Sequence, residues 1–316
     1  MGTFGSNSKI KLMSFTSIPA ALPSPLTPFS LDDWPHDAPC VWVKRDDLIH
    51  PYISGNKWRK LAYTNIEKAH HVMSIGGGYS NHLHALGYKC ATSGVPFTAL
   101  IRGNYADSLT PMLIDLQSWG CQIHFLSKAQ YAQRESSTFA SWRESVFGPH
   151  TYIPEGGSTR LAVLGVLDMM KEISMLTKLH ARNLPTHFVA PVASGATLAG
   201  MIKGSNQSQY VLGIAVLKGQ NYLEDQVQRF IDTGDTNWRI THDFVHKGYA
   251  KSSPELLAFC NKVNSTTDIS VEPVYSGKAF YALDQLIKQK HFKQSDNIVI
   301  VHTGGLQGAR VNSNQK

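Results

Sequence analysis

The segment Ser54–Leu61 reads SGNKWRKL and follows the charged run KRDDL of Lys44–Leu48. Within it, Lys57 stands where a Gly-Asn loop meets the start of a helical pattern. A lysine at such a junction can point into a dry pocket, where its amine loses pKa and becomes a nucleophile toward an aldehyde. A solvated lysine on the first turn of a helix is the ordinary alternative, and spacing alone favours that alternative.

Outward from this segment, short apolar runs alternate with helix-like stretches. The apolar runs that we expect to be strands are 41–43, 72–75, 97–101, 122–125, 187–191, 210–216 and 297–301. The helix-like stretches are 57–69, 81–93, 109–119, 160–179, 222–230, 254–262 and 278–290. This order predicts an α/β protein with parallel sheets wrapped by helices and with ligands at the carboxyl ends of the strands. Residues 1–39, rich in Ser, Pro and Thr, are expected to form an extended arm.

Glycines follow apolar stretches at four places, Gly76–Gly78, Gly156–Gly157, Gly195 and Gly304–Gly305, and most of them precede a helix-like stretch. One such turn could be a structural necessity. Four of them indicate a crevice built from backbone amides at helix N-termini, which suits an anion.

Composition excludes several classes of protein. The chain has 316 residues and a formal charge of +7, with no run of five like charges, so we expect no nucleic-acid partner. No apolar stretch reaches the roughly eighteen residues of a membrane span, so no membrane association is expected. The four cysteines lack a C-x-x-C pair and read as reduced thiols, which favours the cytoplasm. Met1, Gly2 and Ser6 fit a myristoylation pattern loose enough to arise by chance.

The second motif is GGGYSNH at Gly76–His82. Ser80 could cap a following helix, and the free amides of that first turn suit a carboxylate. Capping alone is the ordinary alternative. His82 and His84 have neither an H-E-x-x-H pattern nor a third ligand, so we expect no metal site.

The third motif is ASGATLAG at Ala193–Gly200, directly after an apolar run. Small residues let the backbone wrap an anion, while Ser194 and Thr197 add hydroxyl donors. A tight strand-to-helix turn without a ligand is the alternative. Two further motifs are EPVYSGK at Glu272–Lys278 and VHTGG at Val301–Gly305.

Together these motifs, in matching order from about residue 41 to residue 305, resemble the 1-aminocyclopropane-1-carboxylate (ACC) deaminase and D-cysteine desulfhydrase family. Members of that family are enzymes dependent on pyridoxal 5'-phosphate (PLP), with the tryptophan-synthase-β fold. The resemblance implies two α/β domains with the cofactor in the cleft between them. It places the PLP Schiff base on Lys57, in the motif Gly55-Asn56-Lys57.

The resemblance also implies roles for the other motifs. It implies that Ser80 binds the substrate carboxylate, with Asn81 and His82 beside it. It also implies that Asn81 contacts the PLP phenolic oxygen. The resemblance implies that the PLP phosphate is bound by the turn Ser194, Gly195, Ala196 and Thr197. In this turn Ala196 replaces a glycine of the family. Active-site tyrosines are Tyr275 and, by a weaker match in Gly248-Tyr249-Ala250, Tyr249. Thr303 is the candidate to face the pyridine nitrogen. After Gly305 the sequence departs from the family pattern.

The predicted large domain combines residues 1–57 and 164–316, and the small domain is 58–163. We expect a homodimer acting on a small amino acid. ACC deaminases carry Glu and Leu where this chain has Ser276 and Thr303, whereas plant D-cysteine desulfhydrases carry Ser and Thr. The resemblance therefore favours breakdown of D-cysteine to pyruvate, sulfide and ammonia, with Ser276 near the substrate and no carboxylate beside Tyr275.

Three alternatives stay open at this point. ACC deamination differs in substrate and not in cofactor, and another D-amino-acid lyase or a racemase would use the same parts. A non-catalytic anion- or nucleotide-binding protein could use the glycine turns alone. A serine hydrolase is disfavoured, because no G-x-S-x-G motif occurs.

Overall fold

The computed structural model describes residues 18–180, 182–249 and 251–310. The myristoylation pattern, residues 1–17 of the predicted arm, Ala250 and the chain after Arg310 lie outside these ranges. None of the helices within them is both long and apolar enough to cross a bilayer.

The described residues form two sheets, one parallel and one parallel except for an edge strand, with helices between their strands. The strands are β1 (Leu26–Pro28), β2 (Cys40–Lys44), β3 (Val72–Gly77), β4 (Phe97–Arg102), β5 (Gln122–Leu126), β6 (Thr151–Ile153), β7 (His187–Val192), β8 (Tyr210–Ala215), β9 (Trp238–Thr241) and β10 (Asn297–Val301). The helices are α1 (Asn56–Leu61), α2 (Asn81–Thr92), α3 (Pro111–Ser118), α4 (Lys128–Ala132), α5 (Ser137–Phe147), α6 (Arg160–Leu179), α7 (Ala196–Gly204), α8 (Tyr222–Gln228), α9 (Pro254–Thr266) and α10 (Ser276–Lys288).

The larger sheet has the strand order β1-β2-β10-β7-β8-β9, and only β1 runs antiparallel to its neighbour. The smaller sheet is fully parallel, in the order β5-β4-β3-β6. Both sheets are covered on two faces, since separate apolar clusters pack on each side. Parallel strands need this double cover, because both of their faces are apolar. The predicted α/β class is confirmed.

The domain boundaries stay a proposal. The range 58–163 contains the whole smaller sheet, but its two ends fall inside α1 and α6. These helices are in close contact, because a Cβ built on Gly165 of α6 would lie 1.8 Å from the carbonyl oxygen of Arg59.

Helix α1 is shorter than the predicted stretch 57–69. It ends at Leu61. The ammonium of Lys89 donates hydrogen bonds to the carbonyl oxygens of Leu61 and Thr64, at 2.9 and 3.2 Å. A basic side chain that binds the last carbonyls of a helix stabilises its end. The prediction missed this stop because Lys89 lies on another helix.

The charged run Lys44–Leu48 holds the fold together instead of lining the site. Arg59 of α1 pairs with Asp46 at 2.9 Å and with Glu172 of α6 at 2.6 Å. Lys44 joins the same Glu172 at 2.8 Å and donates to the carbonyl of Ser24 in the arm. Because nearly all of these groups are buried, each charge depends on its partners. The network fixes α1, and with it the loop before Lys57.

We expect Gly165→Ala to lower the free energy of unfolding by about 1–3 kcal/mol, since the added methyl would overlap backbone that cannot move aside cheaply. Urea unfolding measures this. The matched control is Gly234→Ala, where a Cβ would meet nothing within 4 Å. Equal stability of the two variants would contradict the close packing of α1 on α6.

Candidate active site

Lys57 is positioned by a backbone contact between two distant motifs. Gly55 has φ +62°, and a Cβ there would lie 1.9 Å from the carbonyl oxygen of Thr303. Only glycine fits this approach, which lets the amide of Asn56 donate to the same oxygen at 3.1 Å. The predicted loop-to-helix junction therefore sits against the carboxyl end of β10.

The amine of Lys57 is poorly hydrated. It donates to Oδ1 of Asn56 at 2.8 Å. Burial lowers the pKa of Lys57 to about 8, because a dry environment disfavours the ammonium form. A useful fraction of this amine is therefore a neutral nucleophile near physiological pH.

Lys57 lies where two cavities meet. The main cleft has a volume of about 820 Å³, and a small cavity of about 30 Å³ extends beside it. Both cavities are lined by Lys57, Asn81, Ala193, Ser194 and Tyr275. The predicted motifs thus converge on one place.

The small cavity is bounded by the turn Ser194–Thr197, which leads from β7 into α7. Gly195 has φ +78°, and a Cβ there would lie 2.4 Å from the carbonyl oxygen of Gln226. Thr197 accepts from Nδ2 of Asn56 at 3.0 Å, so the turn is linked to the Lys57 loop. Thr303 is far from this turn in the sequence, but it lines the same small cavity.

A second lysine, Lys60, lies beside this turn, and the sequence motifs did not predict it as a site residue. Nζ of Lys60 donates to the carbonyl of Gly156 and to the hydroxyls of Ser158 and Ser194, each at 3.1 Å. Burial and the nearby charge of Lys57 lower the pKa of Lys60 well below its usual value. Its place one turn after Lys57 on α1 was a signal that could have identified it.

Ser80, Asn81 and His82 open α2 at the rim of the main cleft. The Ser80 hydroxyl accepts from the amide of Leu83 at 3.2 Å, so the predicted cap is present. Asn81 accepts from Nε2 of Gln307, which lies in the segment that departs from the family pattern. The segment after Gly305, where the sequence departs from the family pattern, therefore contacts the predicted site residue Asn81.

His82 is buried beneath this rim. Its Nε2 is 2.9 Å from the Ser74 hydroxyl, and its Nδ1 has no hydrogen-bond partner among the described residues. Burial, with the charges of Lys57 and Lys60, lowers the pKa of His82 well below its usual value, so the ring is neutral.

The two predicted tyrosines form a pair. Their hydroxyl oxygens, of Tyr249 and Tyr275, are 2.8 Å apart at the edge of the main cleft. Burial raises the pKa of Tyr275 well above its usual value, so it is a proton donor and not a phenolate. Lys278, fully buried, donates to the carbonyls of Val216, Val245 and Gly248 at 2.8–3.0 Å and thereby holds the loop that carries Tyr249.

Ser276 does not line either cavity. Its hydroxyl donates to Oε1 of Glu272 at 3.2 Å and accepts from the Glu272 amide at 3.0 Å. The Glu272 carboxylate also accepts from the amide of Tyr275 at 2.8 Å. Neither Ser276 nor Glu272 lines either of the two cavities, and a contact between Ser276 and substrate stays a prediction. The hydroxyl of Ser276 points toward Glu272, whose carboxylate accepts from the backbone amides of Tyr275 and Ser276 at the start of α10.

The donor set fits a phosphorylated aldehyde. The Lys57 amine, whose pKa is lowered, lies beside a turn of small and hydroxyl residues. Nδ1 of His82, which also lines the main cleft, has no hydrogen-bond partner among the described residues. Glycine at position 195, with its positive φ, allows the tight turn whose backbone amides suit an anion. No three His, Cys, Asp or Glu side chains converge as metal ligands in the part of the chain that the structure describes.

Comparisons with known proteins agree with this geometry. A family profile described as pyridoxal-phosphate dependent enzyme matches residues 19–304. The bifunctional D-cysteine desulfhydrase/1-aminocyclopropane-1-carboxylate deaminase, mitochondrial, of Arabidopsis thaliana is 31% identical over 320 residues, which cover 94% of this chain and 80% of that protein. A putative 1-aminocyclopropane-1-carboxylate deaminase of Thermotoga maritima is 30% identical, covering 85% of this chain and 89% of that one.

Among solved structures, the crystal structure of an ACC deaminase homologue superposes with a TM-score of 0.77 at 24% identity and covers 92% of each chain. This likeness confirms the fold that the resemblance implied. The family match rules out the non-catalytic alternative. The chain belongs to the pyridoxal-phosphate-dependent enzymes.

Proposed function

We propose that the chain is a lyase that breaks down D-cysteine to pyruvate, sulfide and ammonia. The single observation that carries the proposal is the buried Lys57 amine, which lies between the Ser194–Thr197 turn and the tyrosine pair. The name of the Arabidopsis relative includes this activity and ACC deamination.

The cofactor would be held by residues of both cavities. Lys57 would bind it covalently, Ser194, Gly195, Ala196 and Thr197 would bind its phosphate, and Asn81 and Thr303 would face its ring. Support comes from the small cavity, which all of these residues except Ala196 line together. When bound, PLP supplies an electron sink for negative charge at the substrate Cα.

The chain's own groups would perform the proton transfers. Ser80 and the amides that open α2 would orient the substrate carboxylate. Lys57, once released from the cofactor, would take the proton from Cα as a neutral amine. Tyr275, paired with Tyr249 and protonated, would donate toward the leaving group.

ACC deamination is the second candidate function. It is favoured by the names of the Arabidopsis and Thermotoga relatives. ACC has no Cα proton, so its ring must be opened by other groups. Glu272 does not line the cleft and is tied to backbone amides, which leaves D-cysteine the better match.

A visible absorption spectrum of the purified protein tests the function. We expect a yellow protein whose spectrum changes when D-cysteine is added, with release of sulfide and pyruvate. From ACC, 2-oxobutyrate should form far more slowly. Faster turnover of ACC than of D-cysteine would show that ACC is the substrate. If neither compound changed the spectrum, PLP would stand as the cofactor but both proposed substrates would be wrong.

We also propose a cytoplasmic homodimer. The described cysteines are all free thiols, which suits a reducing compartment. Helix α6 exposes four large apolar side chains that a second copy could cover, namely Leu161, Leu164, Met175 and Leu179. Light scattering of the purified protein tests the dimer.

A further inference from the structure

The outer part of the main cleft carries an excess of positive charge. Two carboxylates line it, and both are already paired: Glu155 with Arg134 at 2.9 Å and Glu135 with Arg229 at 3.3 Å. The Glu155 carboxylate also accepts from the hydroxyl of Tyr131. Both carboxylates that line the cleft are therefore already neutralised by arginines.

Four exposed basic side chains that line the same cleft have no such partner. Arg102, Lys218, Lys247 and Lys251 make no ion pair with any residue that the structure describes. Arg102 ends β4 in the smaller sheet, whereas Lys218 follows β8 in the larger one. The positive charges thus face the cleft from both sheets, at carboxyl ends of parallel strands, where such folds bind ligands.

These charges lie close to the reacting end of the cleft. Arg102 stacks over Tyr131, with its guanidinium carbon 5.3 Å from the ring centroid. Burial raises the pKa of Tyr249, and the hydrogen bond with Tyr275 and the charge of Arg102 each oppose part of that rise. The side chain of Lys218 runs beside Gly248, 3.7 Å from where a Cβ would stand.

This region is separate from the predicted phosphate turn. The small cavity at Ser194–Thr197 is lined by Lys57 and Lys60 but by none of the four exposed basic residues of the main cleft. The positive charge of the outer cleft therefore has no counterpart in the cofactor, nor in D-cysteine or ACC, whose carboxylate is assigned to Ser80. Such a field concentrates a ligand with a further negative charge.

We propose that the cleft also accepts amino acids that carry an anionic group on Cβ, and that Arg102, Lys218 and Lys251 bind this group as it leaves. The proposal rests on the proposed function and extends its substrate class. With O-phosphoserine, the Cα–H and Cβ–O bonds break and phosphate departs with the bonding electron pair. Water replaces the nitrogen, so O-phosphoserine and water give pyruvate, ammonium and phosphate.

The test compares kcat/KM for O-phospho-D-serine and D-cysteine on the holoenzyme, with the L-enantiomer as a further arm. We expect release of phosphate and pyruvate, with a steeper loss of rate at high salt than for D-cysteine, because exposed charges are screened. Arg102→Met should lower the ratio of the phosphoserine to the D-cysteine value about tenfold, as loss of a charged hydrogen bond does. Combining it with Lys218→Met should lower the ratio further.

The matched control is Lys203→Met, since Lys203 pairs with Asp232 on the surface and lines neither cavity. It should leave both values unchanged. D-cysteine turnover without phosphoserine turnover, or a ratio that Arg102→Met leaves unchanged, would overturn the inference while the proposed function stands. Failure of the proposed function is distinct, because then D-cysteine itself gives no product.

Discussion

Lys57→Ala should reduce turnover of D-cysteine on the order of 10³-fold or more, because the variant loses both the attachment of the cofactor and the base for the Cα proton. The variant should still bind PLP without a covalent bond, since the Ser194–Thr197 turn is intact. Borohydride reduction of the wild type should fix the cofactor on a peptide that contains Lys57, and the variant should yield no such peptide. A reduced adduct on Lys60 or Lys44 would show that the assignment is wrong.

The pH dependence of cofactor loading gives a second measurement on the same residue. Burial lowers the pKa of Lys57 to about 8, and the neutral amine is the form that attacks an aldehyde. Loading of the apoenzyme should therefore accelerate as pH rises and level off above about pH 8. A rate that keeps rising toward pH 10 would indicate an ordinary, hydrated lysine.

The fold was accessible from the sequence where strands are buried on both faces. The run Asn297–Val301 is fully buried as β10, and the apolar pattern predicts it at the observed bounds. By contrast β1, β6 and β9 are short or half-exposed edge strands, and none has an apolar run to mark it. Edge strands need only one partner, so their sequences are weakly constrained.

Helices were predicted where one face is apolar and missed where the pattern is uniform. Helix α5 buries only Phe139 and Arg143, so it shows little apolar period. Helix α7 has the opposite character, because it is buried along almost its whole length. Neither case gives the one-sided stripe on which a helix prediction depends.

The candidate site was predicted wherever its residues share a short motif. Lys57, Ser80, Ser194 and Tyr275 all reach the cleft, and each lies in a segment that resembles the family pattern. The orientation of Ser276 was not predictable, because it depends on the buried Glu272 four residues earlier. The contacts of Lys60 likewise join three segments far apart in sequence.

Lys60→Met should weaken the affinity of the apoenzyme for PLP about ten- to a hundredfold, because a charged hydrogen bond is worth about 1.5–3 kcal/mol. Lys60 donates to Ser194 in the predicted phosphate turn, and a dianionic phosphate there would favour its ammonium form. A titration followed by absorbance measures the affinity.

Pyridoxal, which lacks the phosphate, separates this role from a structural one. If Lys60 acts on the phosphate, Lys60→Met should change the affinity for pyridoxal much less than the affinity for PLP, and Lys60→Arg should retain part of the preference for PLP. If Lys60 only braces the loop at Gly156 and Ser158, both affinities should fall together and the apoenzyme should melt at a lower temperature. The difference arises because the loop contacts are the same for both ligands, whereas an ion pair with phosphate exists only for one. Equal losses would therefore remove Lys60 from the phosphate site and leave the Ser194–Thr197 turn to bind the anion through its amides and hydroxyls alone.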